Sequence, residues 1–270
     1  MAGGKRRNQT VNPNGKSVLF IIAHPDDECM FFTPTIRHYV QSFYNIHILC
    51  LTTGNDLTIS RGKELIESCV ELGIPAKNVK VDNWMRDGMD EIWDTNKIIK
   101  VIESELLHFS PDVIITFDNS GVSSHPNHID VSRAVETFIK SYRQKRNKDL
   151  PKLKRKQVEL EKQHVIMKDI KVYQLETVNI VRKYMGIFDL FFSSWFGKYT
   201  DPTKKTEDAT SSSALTPTPQ PRDKIIFKSY QILLPSSYYP MKKHKSQFVW
   251  FRYLFIFFSR YSYVNTLQEI

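Results

Sequence analysis

Five consecutive residues, His24-Pro25-Asp26-Asp27-Glu28, hold the densest chemistry in the chain. They follow the β-branched and apolar run Val18-Leu19-Phe20-Ile21-Ile22, which reads as a buried central strand. In an open α/β sheet, sites form at the carboxyl ends of strands. Charged groups at such an end need pairing or a metal, because desolvating them alone is costly. His24 and one carboxylate can share a metal ion. Adjacent side chains diverge, so Asp26 and Asp27 should not both face one ligand site; one can bind metal while the other stays free. The structural alternative is that both aspartates cap a following helix and His24 simply packs. A second motif, His125-Pro126-Asn127-His128, follows another buried run over 113–117 and a polar loop over 118–124. Taken alone it could be a surface loop whose Asn caps a helix. Together the two motifs bring three imidazoles and a carboxylate to one sheet edge, enough for a catalytic metal site that keeps a position open for water.

The elements that must position these motifs follow from the hydrophobic pattern. Residues 46–51 read as a second strand, Gly54 as a turn, and 64–72 as a helix stopped by Gly73-Ile74-Pro75. A brief strand over 79–81 precedes a helix over 92–109; the strand over 113–117 follows Pro111, and a further helix covers about 127–142. Strands alternating with helices imply an α/β, Rossmann-like fold, with a mostly parallel sheet and helices on both faces, in a single domain over 16–270. Residues 1–15 read as a flexible arm. Residues 140–170 are strongly basic, with Leu150-Pro151 expected to break any continuous helix, and read as a solvated insertion or a membrane-facing arm. Residues 172–181 alternate well enough for another strand. Residues 200–224, rich in Ser, Thr, Pro and charge, read as a disordered linker. Two aromatic stretches, 184–196 and 248–264, must be buried against something or lie at an interface. The second carries Arg252 and Arg260 and is too short and too charged to span a bilayer.

Composition narrows the class further. With 41% hydrophobic and 25% charged residues in 270, the chain suits a soluble α/β protein and excludes collagen-like, wholly disordered and multi-span membrane classes. Lys and Arg at 38 against Asp and Glu at 29 give a net charge of +9, which calls for an anionic partner such as acidic lipid or nucleic acid. No RNP or zinc-finger spacing is present, so nucleic acid is not expected. Cys29, Cys50 and Cys69 form no Cys-x-x-Cys pair and fit a reducing compartment.

The two motifs, with Gly121-Val122-Ser123 leading into the second, resemble the metal-dependent deacetylases that hydrolyse N-acetylglucosamine conjugates. Phe31-Phe32-Thr33-Pro34, Asp87-Gly88-Met89-Asp90-Glu91-Ile92-Trp93 and Gln247-Phe248-Val249-Trp250-Phe251-Arg252-Tyr253 resemble the eukaryotic branch, the N-acetylglucosaminyl-phosphatidylinositol de-N-acetylases of the second step of GPI-anchor synthesis. The resemblance covers about residues 17–138 and parts of 171–264. It implies that His24, Asp27 and His128 bind Zn2+, that Asp26 is the general base, and that His125 is the acid or oxyanion partner. Two histidines and one carboxylate also suit Fe2+, so only the resemblance favours zinc. Glu28 is expected to accept a hydrogen bond from a ligating imidazole.

Arg61, in an Arg-x-x-Glu element with Glu64, is expected to contact the sugar or its phosphate; the alternative is an ordinary helix pair. Asp87 is expected to accept from sugar hydroxyls, or else to be a turn residue before Gly88. His244 resembles a C-terminal family position and is expected to line the pocket. Asp56-Leu57-Thr58-Ile59-Ser60 is shorter than the Gly-rich loop usual in relatives. No counterpart of the branch's N-terminal membrane helix is expected, so contact with a membrane surface falls to the aromatic stretches and the basic 140–170 segment. The implied substrate is the glycolipid N-acetylglucosaminyl-phosphatidylinositol, at the cytoplasmic face of the endoplasmic reticulum membrane. The competing readings are a deacetylase of a soluble GlcNAc conjugate and a catalytically silent membrane-binding protein.

Overall fold

Every residue of Ser17–Ile22 is buried, and so is every residue of Val113–Phe117. A strand buried on both faces needs cover on both, which places these two, β1 and β4, at the centre of the sheet. The structure is a computed structural model that describes residues 15–54, 60–153, 168–196, 224–231 and 233–270. β2 (Asn45–Cys50) and β4 run parallel to β1 on either side of it. β3 (Val79–Val81) lies parallel beyond β2, and β5 (Lys171–Leu175) parallel beyond β4. β7 (Val264–Glu269) pairs antiparallel with β5, and β6 (Lys224–Lys228) antiparallel with β7. The order is β3-β2-β1-β4-β5-β7-β6.

The chain therefore winds outward from β1 through β2 to β3, then returns to lay β4 on the other side of β1. The gap between the ends of β1 and β4 is the switch point where an open α/β sheet forms a crevice. The helices are α1 (Asp27–Phe31), α2 (Thr33–Gln41), α3 (Ser60–Leu72), α4 (Thr95–Phe109), the irregular turn α5 (Gly121–Ser124), α6 (Pro126–Leu153), α7 (Ile180–Lys183), α8 (Phe188–Phe196), α9 (Tyr238–Lys243) and α10 (Trp250–Phe258). They pack in two groups, α4 with α6, and α3 with α2 and α9.

The α/β fold with a mostly parallel sheet is as the pattern predicts. Several boundaries differ. The strand expected over 172–181 stops at Leu175, and a helical turn, α7, takes up Ile180–Lys183. The basic stretch expected as an insertion from 140 begins as the continuation of α6, which runs through Pro151 to Leu153. The break expected at Leu150-Pro151 is not seen, since the helix includes both residues. The rest of that stretch, 154–167, lies outside the described residues, as does the 1–15 arm but for Gly15. So does the 200–224 linker except for Lys224, which opens β6.

The C-terminal strand is tied to the front of the sheet by one side chain. Asn265, fully buried in β7, accepts from the Thr35 backbone N–H (3.2 Å) and hydroxyl (2.7 Å) and donates to the Phe31 carbonyl (2.8 Å). It thus fixes the end of α1, the helix that carries Asp27. Asn265→Ala leaves these buried partners unsatisfied, at about 1–3 kcal/mol each before relaxation. We expect a loss of about 2–3 kcal/mol, read as a lower urea midpoint, with the secondary structure retained at low denaturant.

Candidate active site

The loop after β1 is built around Asp27. Its Oδ2 accepts from the backbone N–H of Ala23 (3.0 Å) and of His24 (2.8 Å), closing the turn that leaves the strand. Asp26, just before α1, has φ 112°, a left-handed backbone that Asp tolerates better than most residues. Glu28 supports it from behind: Oε2 accepts from the Asp26 N–H (3.1 Å), and Oε1 from Ser68 Oγ (2.5 Å) and His244 Nε2 (2.7 Å). Glu28 and His244 are both fully buried. Two sequence expectations are thereby corrected. Glu28 does not hold a ligating imidazole, and His244 does not line the pocket. Burial beside Glu28 turns His244 into a support for the Asp26 backbone, and the Glu28 carboxylate outweighs desolvation to raise the imidazole's pKa.

The second motif meets the first across the switch point. His24 Nδ1 lies 3.2 Å from His128 Nε2, and the Asp27 carboxylate lies 3.7 Å from the former and 3.3 Å from the latter. The outer nitrogens are already committed. His24 Nε2 donates to Asp87 Oδ1 (3.1 Å) and Asn127 Oδ1 (3.1 Å), and His128 Nδ1 to the Gly121 carbonyl (3.0 Å). In neutral imidazoles these bonds assign the inward nitrogens, His24 Nδ1 and His128 Nε2, as lone-pair bearers. Two lone pairs and a carboxylate oxygen at this range repel one another unless a cation or proton stands between them. Tetrahedral zinc, with ligand distances of about 2.0–2.2 Å, sets its donors roughly 3.3–3.6 Å apart. The donor set and its spacing fit a metal ion. His125 is the third imidazole of the group, whose ring nitrogens lie within 4.8 Å of one another.

The charges respond to this crowding. Burial opposes a charge on His24, but hydrogen bonds and attraction from Asp27 and Asp87 push it up to about 10. Burial also opposes ionisation of Asp27, yet the facing His128 and His24 hold its carboxyl well below the usual range. Burial raises the pKa of Asp26, a shift that Arg252 opposes and Asp27 reinforces. Burial, with His24 and His128 nearby, pushes His125 down to about 4.

A cavity of about 300 Å³ opens over this cluster, lined by His24, Asp26, Asp27, His125 and His128 from the two motifs. Arg61 and Asp87 are at its wall, and Arg61 faces Asp87 in place of the alternative helix pair with Glu64. Arg61 turns from Glu64 toward Asp87 (3.5 Å) and the Pro25 carbonyl (3.2 Å), while Glu64 accepts from the Ser246 N–H (3.1 Å) and hydroxyl (2.6 Å). The shortened stretch before Arg61 falls on 55–59, outside the described residues, with Ser60 opening α3. Gly54 (φ 90°) gives Arg61 its room, since any Cβ there would meet the guanidinium.

Sequence reasoning missed two cations. Arg252 Nη2 lies 2.8 Å from Asp26 Oδ2, and Lys183, bonded to Ser123 Oγ (2.6 Å), reaches the same cavity. Arg252 stood inside a quoted motif, but its register against Asp26 depends on how α10 packs. It also missed Asn127, which bridges His24 Nε2 and the Gly88 N–H (3.2 Å).

Comparison with known proteins agrees with this geometry. Residues 19–139 match the family described as PIG-L, GlcNAc-PI de-N-acetylase. A Dictyostelium discoideum protein carrying the name "Probable N-acetylglucosaminyl-phosphatidylinositol de-N-acetylase" is 45% identical over 262 residues, 94% of this chain and 93% of the relative. The N-acetylglucosaminyl-phosphatidylinositol de-N-acetylase of Bos taurus is 30% identical over 268 residues, 97% of this chain and 87% of the relative. Among solved structures, N,N'-diacetylchitobiose deacetylase from Pyrococcus horikoshii shares the fold, with a TM-score of 0.56 at 16% identity over 97% of this chain and 86% of that one. With similarity to such relatives running through nearly its whole length, the chain belongs to the PIG-L family of GlcNAc-PI de-N-acetylases.

Proposed function

We propose that this chain is a metal-dependent hydrolase that removes the N-acetyl group from N-acetylglucosaminyl-phosphatidylinositol. The products are glucosaminyl-phosphatidylinositol and acetate, the second step of GPI-anchor synthesis, carried out at the cytoplasmic face of the endoplasmic reticulum. The observation that carries the reading is the convergence of His24 Nδ1, His128 Nε2 and the Asp27 carboxylate at one cavity wall, with the separate buried carboxylate of Asp26 lining the same space. The substrate comes from the names of the relatives.

In this reading His24, Asp27 and His128 hold the metal, Zn2+ by family likeness, though the same donors accept Fe2+. When bound, such an ion supplies Lewis-acid polarisation of the acetyl carbonyl and makes water at the site more acidic. The protein's own groups do the rest. Asp26 takes the proton from the attacking water; burial makes its carboxylate a stronger base, while Arg252 keeps it ionised and aimed. Water oxygen bonds to the acetyl carbon, and negative charge builds on the former carbonyl oxygen. His125, whose Nδ1 has no partner among the described residues, is assigned to that oxygen. As the C–N bond breaks, the proton held by Asp26 leaves with the amine. Asp87 and Asn127 keep the outer nitrogen of His24 occupied, so the inward one stays available. Arg61 and Lys183 are the cations at the wall for the sugar or its phosphate.

The deciding assay follows free amine released from N-acetylglucosaminyl-phosphatidylinositol by the purified chain. Asp26→Asn tolerates the left-handed backbone and should lower turnover by about 10²–10⁴-fold with metal content unchanged. Asp27→Ala should lose both metal and turnover. A metal-loaded Asp26→Asn variant with full turnover overturns the base assignment. Chelation should abolish activity, and re-addition of zinc or of ferrous iron in separate samples identifies the metal by which one restores it. Restored turnover confined to soluble GlcNAc conjugates would move the substrate away from lipid, and metal loading without turnover on either substrate would make the chain a silent binder.

A further inference from the structure

Of the two readings for the aromatic stretches, burial or an interface, the exposure of their rings favours the interface. On α7, α8 and their junction, Tyr184, Phe188 and Phe191 are 50%, 68% and 70% exposed. On α10, Trp250, Phe251 and Leu254 are 73%, 50% and 49% exposed. The inward side of α10 carries Arg252, Phe255 and Ile256, so this helix packs through one polar and two apolar residues and presents aromatics to the outside. The two stretches are neighbours. Gly186 (φ 52°) lets the junction approach so closely that a Cβ there would lie 3.1 Å from the carbonyl oxygens of Phe257 and Phe258. Lys183 Nζ lies 5.8 Å from the Tyr184 ring and 5.9 Å from the Phe255 ring, between the two helices. Tyr184, Lys183, Arg252 and Phe255 also line the catalytic cavity, so this apolar face is continuous with the rim of the site.

Charge selects what covers the face. Across 180–196 and 250–258 the only acidic residue is Asp189, fully buried and paired with Arg182 (2.8 Å) and Arg260 (2.7 Å). Among the described residues the face offers aromatics without an exposed carboxylate, with Lys183 and Arg252 standing at the rim toward the cavity, on a chain of net charge +9. Exposed amphipathic rings with no carboxylate among them, on a chain of net positive charge, suit the headgroup region of an anionic bilayer. Among the described residues no helix is long and apolar enough to cross a membrane.

We propose that the outer faces of α7, α8 and α10 form one docking surface that seats the cavity mouth on an anionic lipid bilayer. A glycolipid headgroup then enters between Lys183 and Arg252 while its acyl chains stay in the membrane. This rests on the glycolipid reading for its purpose, but not for its test, because binding is measured without substrate.

The test uses the full chain with phosphatidylcholine vesicles containing about one third phosphatidylinositol, by sedimentation, beside pure phosphatidylcholine. The triple variant Phe188→Ser, Phe191→Ser, Trp250→Ser alters exposed positions that do not line the cavity. Wild type should bind the mixed vesicles at least tenfold more tightly than the variant does, and more tightly than it binds pure phosphatidylcholine. Brominated lipid should quench a tryptophan signal that the variant lacks. Unchanged circular dichroism and unchanged hydrolysis of a soluble GlcNAc conjugate show that the variant is folded. Equal vesicle binding by the two proteins overturns the proposal. So does a wild-type chain that ignores vesicles and loses self-association in the variant, because the face then belongs to a second copy.

Discussion

Two imidazole nitrogens and the two oxygens of one carboxylate, with nearest approaches of 3.2–3.7 Å in a buried pocket, set the terms for everything around them. Left alone, the arrangement is repulsive, and without a cation a proton must stand among the three groups, the direction in which His24 is driven. The fold resists any other escape. Asp27 is pinned by two backbone N–H groups, His128 by the Gly121 carbonyl, and His24 by Asp87 and Asn127. None of the three can swing away without abandoning a buried hydrogen bond, a loss comparable to the desolvation penalty of the group. Pre-organisation of this kind leaves little ordering to be done when a cation arrives.

The same logic explains why a left-handed backbone persists at Asp26. A non-glycine residue at positive φ carries strain that the surroundings must over-determine. Here Glu28 captures the Asp26 N–H, and Ser68 from α3 and His244 from the C-terminal region capture Glu28 in turn. The strain separates two adjacent carboxylates: Asp27 turns to the imidazoles and Asp26 to Arg252. One loop thus yields a carboxylate held well below its usual pKa and another raised above it, the split that ligand and base roles demand.

Both motifs were legible in the sequence because each is local: a run of chemistry-bearing residues directly after a continuous apolar strand. The α/β class was legible for the same reason, from strands and helices that alternate along the chain. What escaped was set by distant pairing. No local signal says that β4 rather than β3 lies beside β1, yet that adjacency creates the crevice. Nor does any spacing relate Glu28 to His244, or Asp26 to Arg252, since each pair joins the first motif to the far end of the chain. β7 alternates weakly in Val-Asn-Thr-Leu-Gln-Glu and is a strand because β5 and β6 flank it. The exposure of the aromatics escaped for a different reason: α10 is apolar nearly all round, so periodicity carries no information about which side faces in.

The distribution of parts along the chain divides the chemistry from the choice of substrate. The family match ends at residue 139, after the His24, His125 and His128 group. The residues that close the cavity beyond that point, Lys183, Tyr184, Gln247, Arg252 and Phe255, all come from the later part of the chain. Arg252 joins the two halves, because the helix that carries it faces outward with aromatics and inward with the cation paired to Asp26. A shift of α10 therefore cannot occur without moving the partner of Asp26. The rim of the cavity and the orientation of the Asp26 carboxylate thus depend on the same helix.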